Sequence, residues 1–252
     1  MLSRKLFIRL GQLAFVAAFF LVLEFLVASG IVSQLLLSRP SQVAVRLWQD
    51  IGSDELWRGL ATTVREVVIA LILTLLIGMA LGYAFFRFGA FRKAAEPMLV
   101  AFYAAPAILL YPIFLTFLGQ GSATIITMAV ILGATPVAIN MAVGFAGIEP
   151  IWRKVGRSLN ATPAQMLTRI LIPAATPIIV TGFRLGLTFA LIGVVSLEFL
   201  TYSGGLGRLI SWRYYIFDTD GVYAAILLVA AIAITINALL TGLEQRVRGR
   251  WT

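Results

Sequence analysis

Between Glu96 and Glu149 the chain runs for 52 residues, 97–148, without a charged side chain. One helix needs about 20 residues to cross the hydrocarbon of a bilayer, so this run must hold two crossings and a turn. Gly119-Gln120-Gly121-Ser122 is the only stretch inside it fit to be that turn. The rest of the chain agrees: of its 252 residues 60% are hydrophobic and 12% charged, a balance that no soluble domain of this size carries. The expected fold class is therefore all-α, a polytopic membrane protein.

Six spans are expected: 10–28, 67–86, 97–118, 123–147, 178–200 and 222–243. A cleaved signal peptide ending at Ala28-Ser29-Gly30 competes for the first, but its apolar run exceeds the roughly 7–15 residues of such a segment. Residues 30–61 read as a polar connector with Trp48 and Trp57 suited to a membrane interface. Residues 202–220 read as a polar, glycine-rich loop. Pro106, Pro112 and Pro136 fall inside spans, where neighbouring helices can satisfy the freed carbonyls. The expected division is 1–58 for the first helix and connector, 59–243 for the transmembrane domain, and 244–252 for a basic tail.

An even number of spans puts both termini on one side. That side holds Arg4, Lys5, Arg9, Arg87, Arg92, Lys93, Arg153, Lys154, Arg157, Arg169, Arg246, Arg248 and Arg250; the other holds Arg39, Arg46, Arg58, Arg208 and Arg213. Thirteen against five makes the termini cytoplasmic. The net charge of +9 is thereby a matter of topology, and nucleic acid is not the expected partner. Histidine and cysteine are absent, which removes the usual metal ligands, thiolate chemistry and the commonest acid–base group.

The segment 149–177 is the longest cation-bearing stretch between spans, and it reads as two short helices joined at a corner. The first would run over 150–159, closed by Asn160 in a left-handed conformation. Thr162-Pro163-Ala164-Gln165 then supplies an N-cap, a proline at the first helical position and the glutamine of a capping box. The second helix, with Met166, Leu167, Ile170 and Leu171, would stop before Pro173, and Thr176-Pro177 would start the fifth span. A plain positive loop has no need of such capping, so the corner is expected to dock onto something.

Further residues have two readings each. Gly78-Met79-Ala80-Leu81-Gly82 and Gly182-Phe183-Arg184-Leu185-Gly186 mark either a close crossing at a pathway or dimer seam, or ordinary helix packing. Arg184 is placed either to snorkel to the cytoplasmic interface or to line a pathway, and Glu24 either to reach the opposite interface or to pair there. Glu198, with Ser196 before it, is either a pathway acid or a structural partner of Arg208 or Arg213. Tyr103, Asn140 and Tyr202 could touch solute or serve as packing and interface aromatics and amides.

In its motifs the chain resembles the permease subunits of bacterial ATP-binding-cassette importers, in the branch that includes sulfonate, taurine, nitrate, bicarbonate and pyrimidine-precursor transporters. The family's cytoplasmic pattern is Glu-Ala-Ala, then Gly, then Ile-x-Leu-Pro; residues 153–162 occupy the place of its first part, and Arg169-Ile170-Leu171-Ile172-Pro173-Ala174-Ala175-Thr176-Pro177 is similar to the second. Leu36-Leu37-Ser38-Arg39-Pro40-Ser41, Thr181-Gly182-Phe183-Arg184-Leu185-Gly186, Glu198-Phe199-Leu200 and Gly204-Gly205-Leu206-Gly207 are similar too, so the likeness covers about 36–250 in order. Lys154 stands where the family has its acid, Val155 and Gly156 where it has two alanines, and Asn160 where it has glycine.

The resemblance implies the type I importer permease fold, acting as a pair with two cytoplasmic ATPase subunits and an extracytoplasmic solute-binding protein in the bacterial plasma membrane. It also implies ATPase coupling by Arg153, Lys154, Gly156, Ser158, Leu159, Asn160, Ala161, Thr162, Pro163, Met166 and Pro173. Glu198, Ser196 and Tyr103 are the pathway candidates. The chain holds no Gly-x-x-x-x-Gly-Lys-Ser/Thr loop, so it is expected to be no enzyme and to bind no cofactor or metal, ATP and Mg being used by the partner. The competing function is an ion-gradient-coupled carrier, which needs mid-bilayer ionisable or carbonyl-lined sites.

Overall fold

A computed structural model describes residues 2–104 and 107–248. The described residues form helices in this order: α1 (Leu2–Ala28), α2 (Pro40–Ile51), α3 (Asp54–Arg87), α4 (Gly89–Ala104), a 3₁₀ turn (Ala107–Leu110), α5 (Tyr111–Leu118), α6 (Ser122–Ala146), α7 (Pro150–Ser158), α8 (Pro163–Gln165), a π turn (Met166–Leu171), α9 (Ile172–Thr201), α10 (Gly205–Tyr215) and α11 (Thr219–Arg248). Five helical stretches among the described residues are long and apolar enough to cross a bilayer. The expected third span is divided instead among α4, the 3₁₀ turn and α5.

The core is a three-helix sandwich with α6 in the middle. Glycines set its thickness. On one side, a Cβ at Gly78 or Gly82 of α3 would stand 2.6 Å from the Cβ of Val137 or Met141. On the other, a Cβ at Gly186 of α9 would stand 2.5 Å from Val137 Cγ2. Both small-residue steps therefore serve intramolecular packing, gripping α6 from opposite faces so that backbones approach closely. Ile125, Met128, Ala129, Ala190 and Val194 fill the half of this sandwich nearer α10, and Met141, Phe145, Ala175 and Ile179 the half nearer α7.

Several expected boundaries move. The second span begins well before residue 67: Ser53 Oγ accepts from Leu56 N at 3.3 Å, and Asp54 and Glu55 occupy the first turn of α3, where acids suit the helix dipole. The connector holds α2, and the supposed loop 202–220 holds α10, whose Leu206 and Leu209 are buried against Leu56. The turn at 119–122 is as expected, with Gly119 at φ 75° and Gly121 at φ 154°, values that favour glycine.

The helix after the corner does not stop before Pro173, nor does a new one start at Thr176-Pro177. The chain passes from α8 through the π turn into α9 without a break. A π turn shifts the hydrogen-bond register to i→i+5, and it ends at Leu171, two residues before Pro173, a residue with no N–H to give. Thr176 Oγ1 donates to Ile172 O at 2.8 Å as a mid-helix residue rather than a cap.

Candidate functional site

Two structured regions stand at opposite ends of the core. At the α7 end lies the corner. Asn160 is left-handed at φ 50°, and the N–H groups of Leu159, Asn160 and Ala161 donate to Val155, Arg157 and Gly156 carbonyls, closing α7. The capping box forms as the residues dictate: Gln165 N donates to Thr162 Oγ1 at 3.3 Å, and Thr162 N donates to Gln165 Oε1 at 3.0 Å. Pro163 takes the first helical position. Gly156 is the contact point between the two arms. A Cβ there would meet Met166 Cε at 2.5 Å and Ile170 Cδ1 at 2.7 Å. Because α8 runs on into α9, the corner is the bent end of a spanning helix.

The coupling candidates do not all face one way. Arg153 turns inward: Nη2 donates to Phe145 O at 2.8 Å, and the guanidinium sits 5.2 Å from the centroid of the Phe86 ring. It ties α7 to the ends of α6 and α3 while staying half-buried. Gly156 and Met166 are the internal packing of the corner, and Pro173 lies at the start of α9. Lys154, Ser158, Thr162 and Pro163 are exposed. With them lies an apolar group, Ile151, Trp152, Val155 and Leu159, the last 74% exposed. Trp152 and Ile151 belong to this surface by position, although sequence reasoning had not picked them out; their spacing to Val155 and Leu159 along one helix face was the available signal.

At the α10 end the centre is Glu198, fully buried. Thr63 Oγ1 lies 2.8 Å from both carboxylate oxygens, and Gly207 N donates to Oε2 at 2.9 Å. Thr63 Oγ1 in turn accepts from Leu206 N at 2.8 Å. The first N–H groups of α10 thus close on a carboxylate carried by α9 and a hydroxyl carried by α3, the arrangement a helix N-terminus favours. Glycine permits it: a Cβ on Gly205 would overlap the Glu198 carboxyl, and one on Gly207 would lie 2.5 Å from both Glu198 Cβ and Val195 O. Neither expected arginine takes part. Arg213 Nη1 and Nη2 bind Asp50 at 2.6 and 2.7 Å, and Arg208 Nη2 stands 3.8 Å from Glu55.

Around this clasp, Glu66 is also fully buried and accepts from Ser122 Oγ, which accepts from Arg65 Nη2 at 3.1 Å. Gln120 Nε2 donates to Thr201 O. Threonine 63, Glu66 and Ser122 were not foreseen, since their meeting depends on how α3, α6 and α9 align. Ser196 is exposed and does not join Glu198, because two residues along a helix turn the side chain about 200° away. Tyr103 belongs to α4, its side chain outside the described residues, as is Pro106. Tyr202, left-handed at φ 60°, packs on Trp212 and Tyr215. With Gln120, Ser203, Gly204 and Arg208 it lines a polar cleft of about 410 Å³. Asn140 Nδ2 donates to Pro136 O at 2.8 Å, and Arg184 Nε to Asn237 Oδ1 of α11 at 3.0 Å. Glu24 binds Ser41 through both oxygens, at 2.8 and 3.0 Å. No group of three or more metal-ligating side chains occurs among the described residues.

Residues 74–249 match the family described as the binding-protein-dependent transport system inner membrane component. The taurine transport system permease protein TauC of Escherichia coli (strain K12) is 27% identical over 98% of this chain and 90% of that protein. The formylaminopyrimidine transport permease protein ThiX of Halalkalibacterium halodurans is 28% identical over 83% of this chain and 84% of its own length. Among solved structures, one of the MetNI methionine ABC transporter in inward-facing conformations superposes with a TM-score of 0.67 at 18% identity, over 77% of this chain and 96% of that one.

Proposed function

The chain belongs to the binding-protein-dependent transport system inner membrane component family, as a multi-pass permease of ABC importers for small solutes. From that premise we propose that it forms the translocation pathway as a pair of copies, in the 59–243 domain, and that the 149–177 corner couples it to two ATPase subunits. The single observation that carries this reading is the continuity of the corner with α9. A capped elbow whose second arm runs unbroken into a spanning helix transmits a push at α7 along that helix into the core.

In this reading the α7 end and both termini face the cytoplasm, and the α10 end faces outward. The arrangement follows the excess of cations at the α7 end. The exposed Ile151, Trp152, Val155 and Leu159 seat in a groove of the ATPase, with Lys154 and Ser158 at its rim. ATP and Mg act in that partner, this chain having no phosphate-binding loop of its own. A solute delivered by a binding protein meets the cleft of Gln120, Tyr202, Ser203 and Arg208 first. The single arginine and neutral polar groups there suit a small anion such as a sulfonate, taurine or nitrate, or a pyrimidine precursor. Glu198 is a structural clasp near this mouth and not a solute ligand, since all its hydrogen-bonding is directed to α3 and α10.

The test is uptake into proteoliposomes containing this chain with and without an ABC ATPase and a solute-binding protein that co-purify with it. ATP-dependent uptake only in the complete set is the expected result. Uptake by this chain alone on a proton or sodium gradient would make it a secondary carrier and overturn the assignment.

A further inference from the structure

The short helix α2 buries its acid, keeps Arg46 at its edge, and turns a set of apolar side chains outward. Val43 and Asp50 are buried on one face. Asp50 binds Arg213 through both oxygens, and Arg46 Nη2 donates to Asp218 at 2.8 Å. The outward surface is split lengthwise. Ala44, Val45, Trp48 and Ile51 recur at helical spacing on one flank and are exposed, Trp48 at 78%. Gln42 and Gln49 are exposed on the other flank. An isolated surface helix in water has no reason to spend its ion pairs inward while presenting a tryptophan, a valine and an isoleucine outward.

Both ends of α2 are pinned at a defined depth. Its first turn is held through Ser41 to Glu24, one turn before α1 ends at Ala28. Its last turn is held through Asp50 to Arg213, whose Nη1 also donates to Gly221 O at the mouth of the span in α11. Twelve residues make a helix of about 18 Å, too short to cross a bilayer. The helix therefore bridges the rims of two spanning helices. The segment leading from α1 exposes Ile31, Leu35 and Leu36 as well, and α1 itself is exposed over most of 10–28.

We propose that α2 lies in the plane of the membrane interface at the α10 end, with Ala44, Val45, Trp48 and Ile51 against the lipid and Gln42 and Gln49 toward water. The occupant of the apolar flank is the lipid of the chain's own bilayer, continuous with the lipid around α1. The ion pairs of α2 staple this helix to α10 and α11, so that the Arg213–Asp50 pair ties the lipid-lying helix to the element that closes on Glu198. This assignment rests on the membrane fold and not on the coupling role of the corner.

The chain contains no cysteine, so single cysteines can carry nitroxide labels without background. The experiment uses the full chain in vesicles of phosphatidylethanolamine and phosphatidylglycerol, labelled in turn at Val45→Cys, Trp48→Cys, Gln42→Cys and Gln49→Cys. Accessibility is read with molecular oxygen, which partitions into lipid, and with a water-soluble nickel chelate. The oxygen-to-nickel ratio at positions 45 and 48 is expected to exceed that at 42 and 49 by about tenfold, as for an amphipathic helix lying in an interface. Equal nickel access at all four positions would place the flank in water. Protection of 45 and 48 from both reagents would mean a second copy or another protein covers it. Either result overturns the proposal. A second reading guards against labels that disturb folding. In the otherwise native chain, Trp48→Phe should remove fluorescence that is quenched more by lipids brominated near the headgroup than by those brominated at the chain end. No loss of such fluorescence would contradict the placement.

Discussion

At the α10 end of the core, glycine makes room for a buried carboxylate: Gly205 and Gly207 let the start of α10 close over Glu198, and the atoms that crowd a Cβ at Gly207 include the backbone of α9. At the α7 end, glycine also makes room, but for the flexible tips of Met166 and Ile170. The first region is locked by short polar contacts between α3, α9 and α10, and the second is braced by caps and packed side chains while leaving its outer surface exposed. A clasp fixes helices relative to one another. An elbow keeps its own shape and is free to be gripped from outside.

The same substitution at the two ends separates them. Gly207→Ala drives a Cβ to within 2.5 Å of Val195 O and 2.6 Å of Phe199 N, neither of which can swing away. It should cost more than about 3 kcal/mol, seen as loss of monodisperse protein and a lower unfolding midpoint in detergent. A native melting profile would show that α10 is not held against α9.

Next in size, Glu198→Gln keeps the shape but places an amide among donors from Thr63 and Gly207. A loss of about 1–3 kcal/mol is expected from the poorer pairing, with the uptake of the folded fraction retained. Native stability with altered solute affinity would instead make Glu198 a pathway residue.

Smaller again is Gly156→Ala, where Met166 and Ile170 can change rotamer. Its expected cost is about 1–2 kcal/mol, measured by the same unfolding curve. A loss as large as that at Gly207 would mean the corner is as tightly locked as the clasp.

These differences also mark what the amino-acid order disclosed. The corner was legible in detail, because Asn160, Thr162, Pro163 and Gln165 act on neighbours within four residues and their preferences are local. The clasp was not. Glu198 and the Gly204–Gly207 run could each be singled out, but Thr63 and Leu206 lie 143 positions apart, and only the glycine-set spacing of α3, α6 and α9 brings them together. Arg213 was offered to Glu198 for lack of any way to see Asp50, 163 positions away. The spans were found by composition, yet their ends were missed wherever a polar helix continued beyond the apolar run, as in α3 and α10, or where a π turn carried the helix through Pro173. Arg153 reads as one more cation of a basic loop, and its inward turn follows from the Phe86 ring and Phe145 carbonyl that await it.

The least disruptive change to folding bears on the elbow most directly. Replacing both Thr162 and Pro163 by glycine removes the cap and the fixed φ at the joint, at a cost to global stability under about 1 kcal/mol. The decisive measurement is ATP-driven uptake by the complete complex carrying this double variant. With the joint free to bend, insertion and melting should stay native while uptake per ATP hydrolysed falls by about tenfold. Native uptake at native coupling would show that the corner need not be rigid, and the account of how the push at α7 reaches α9 would fail.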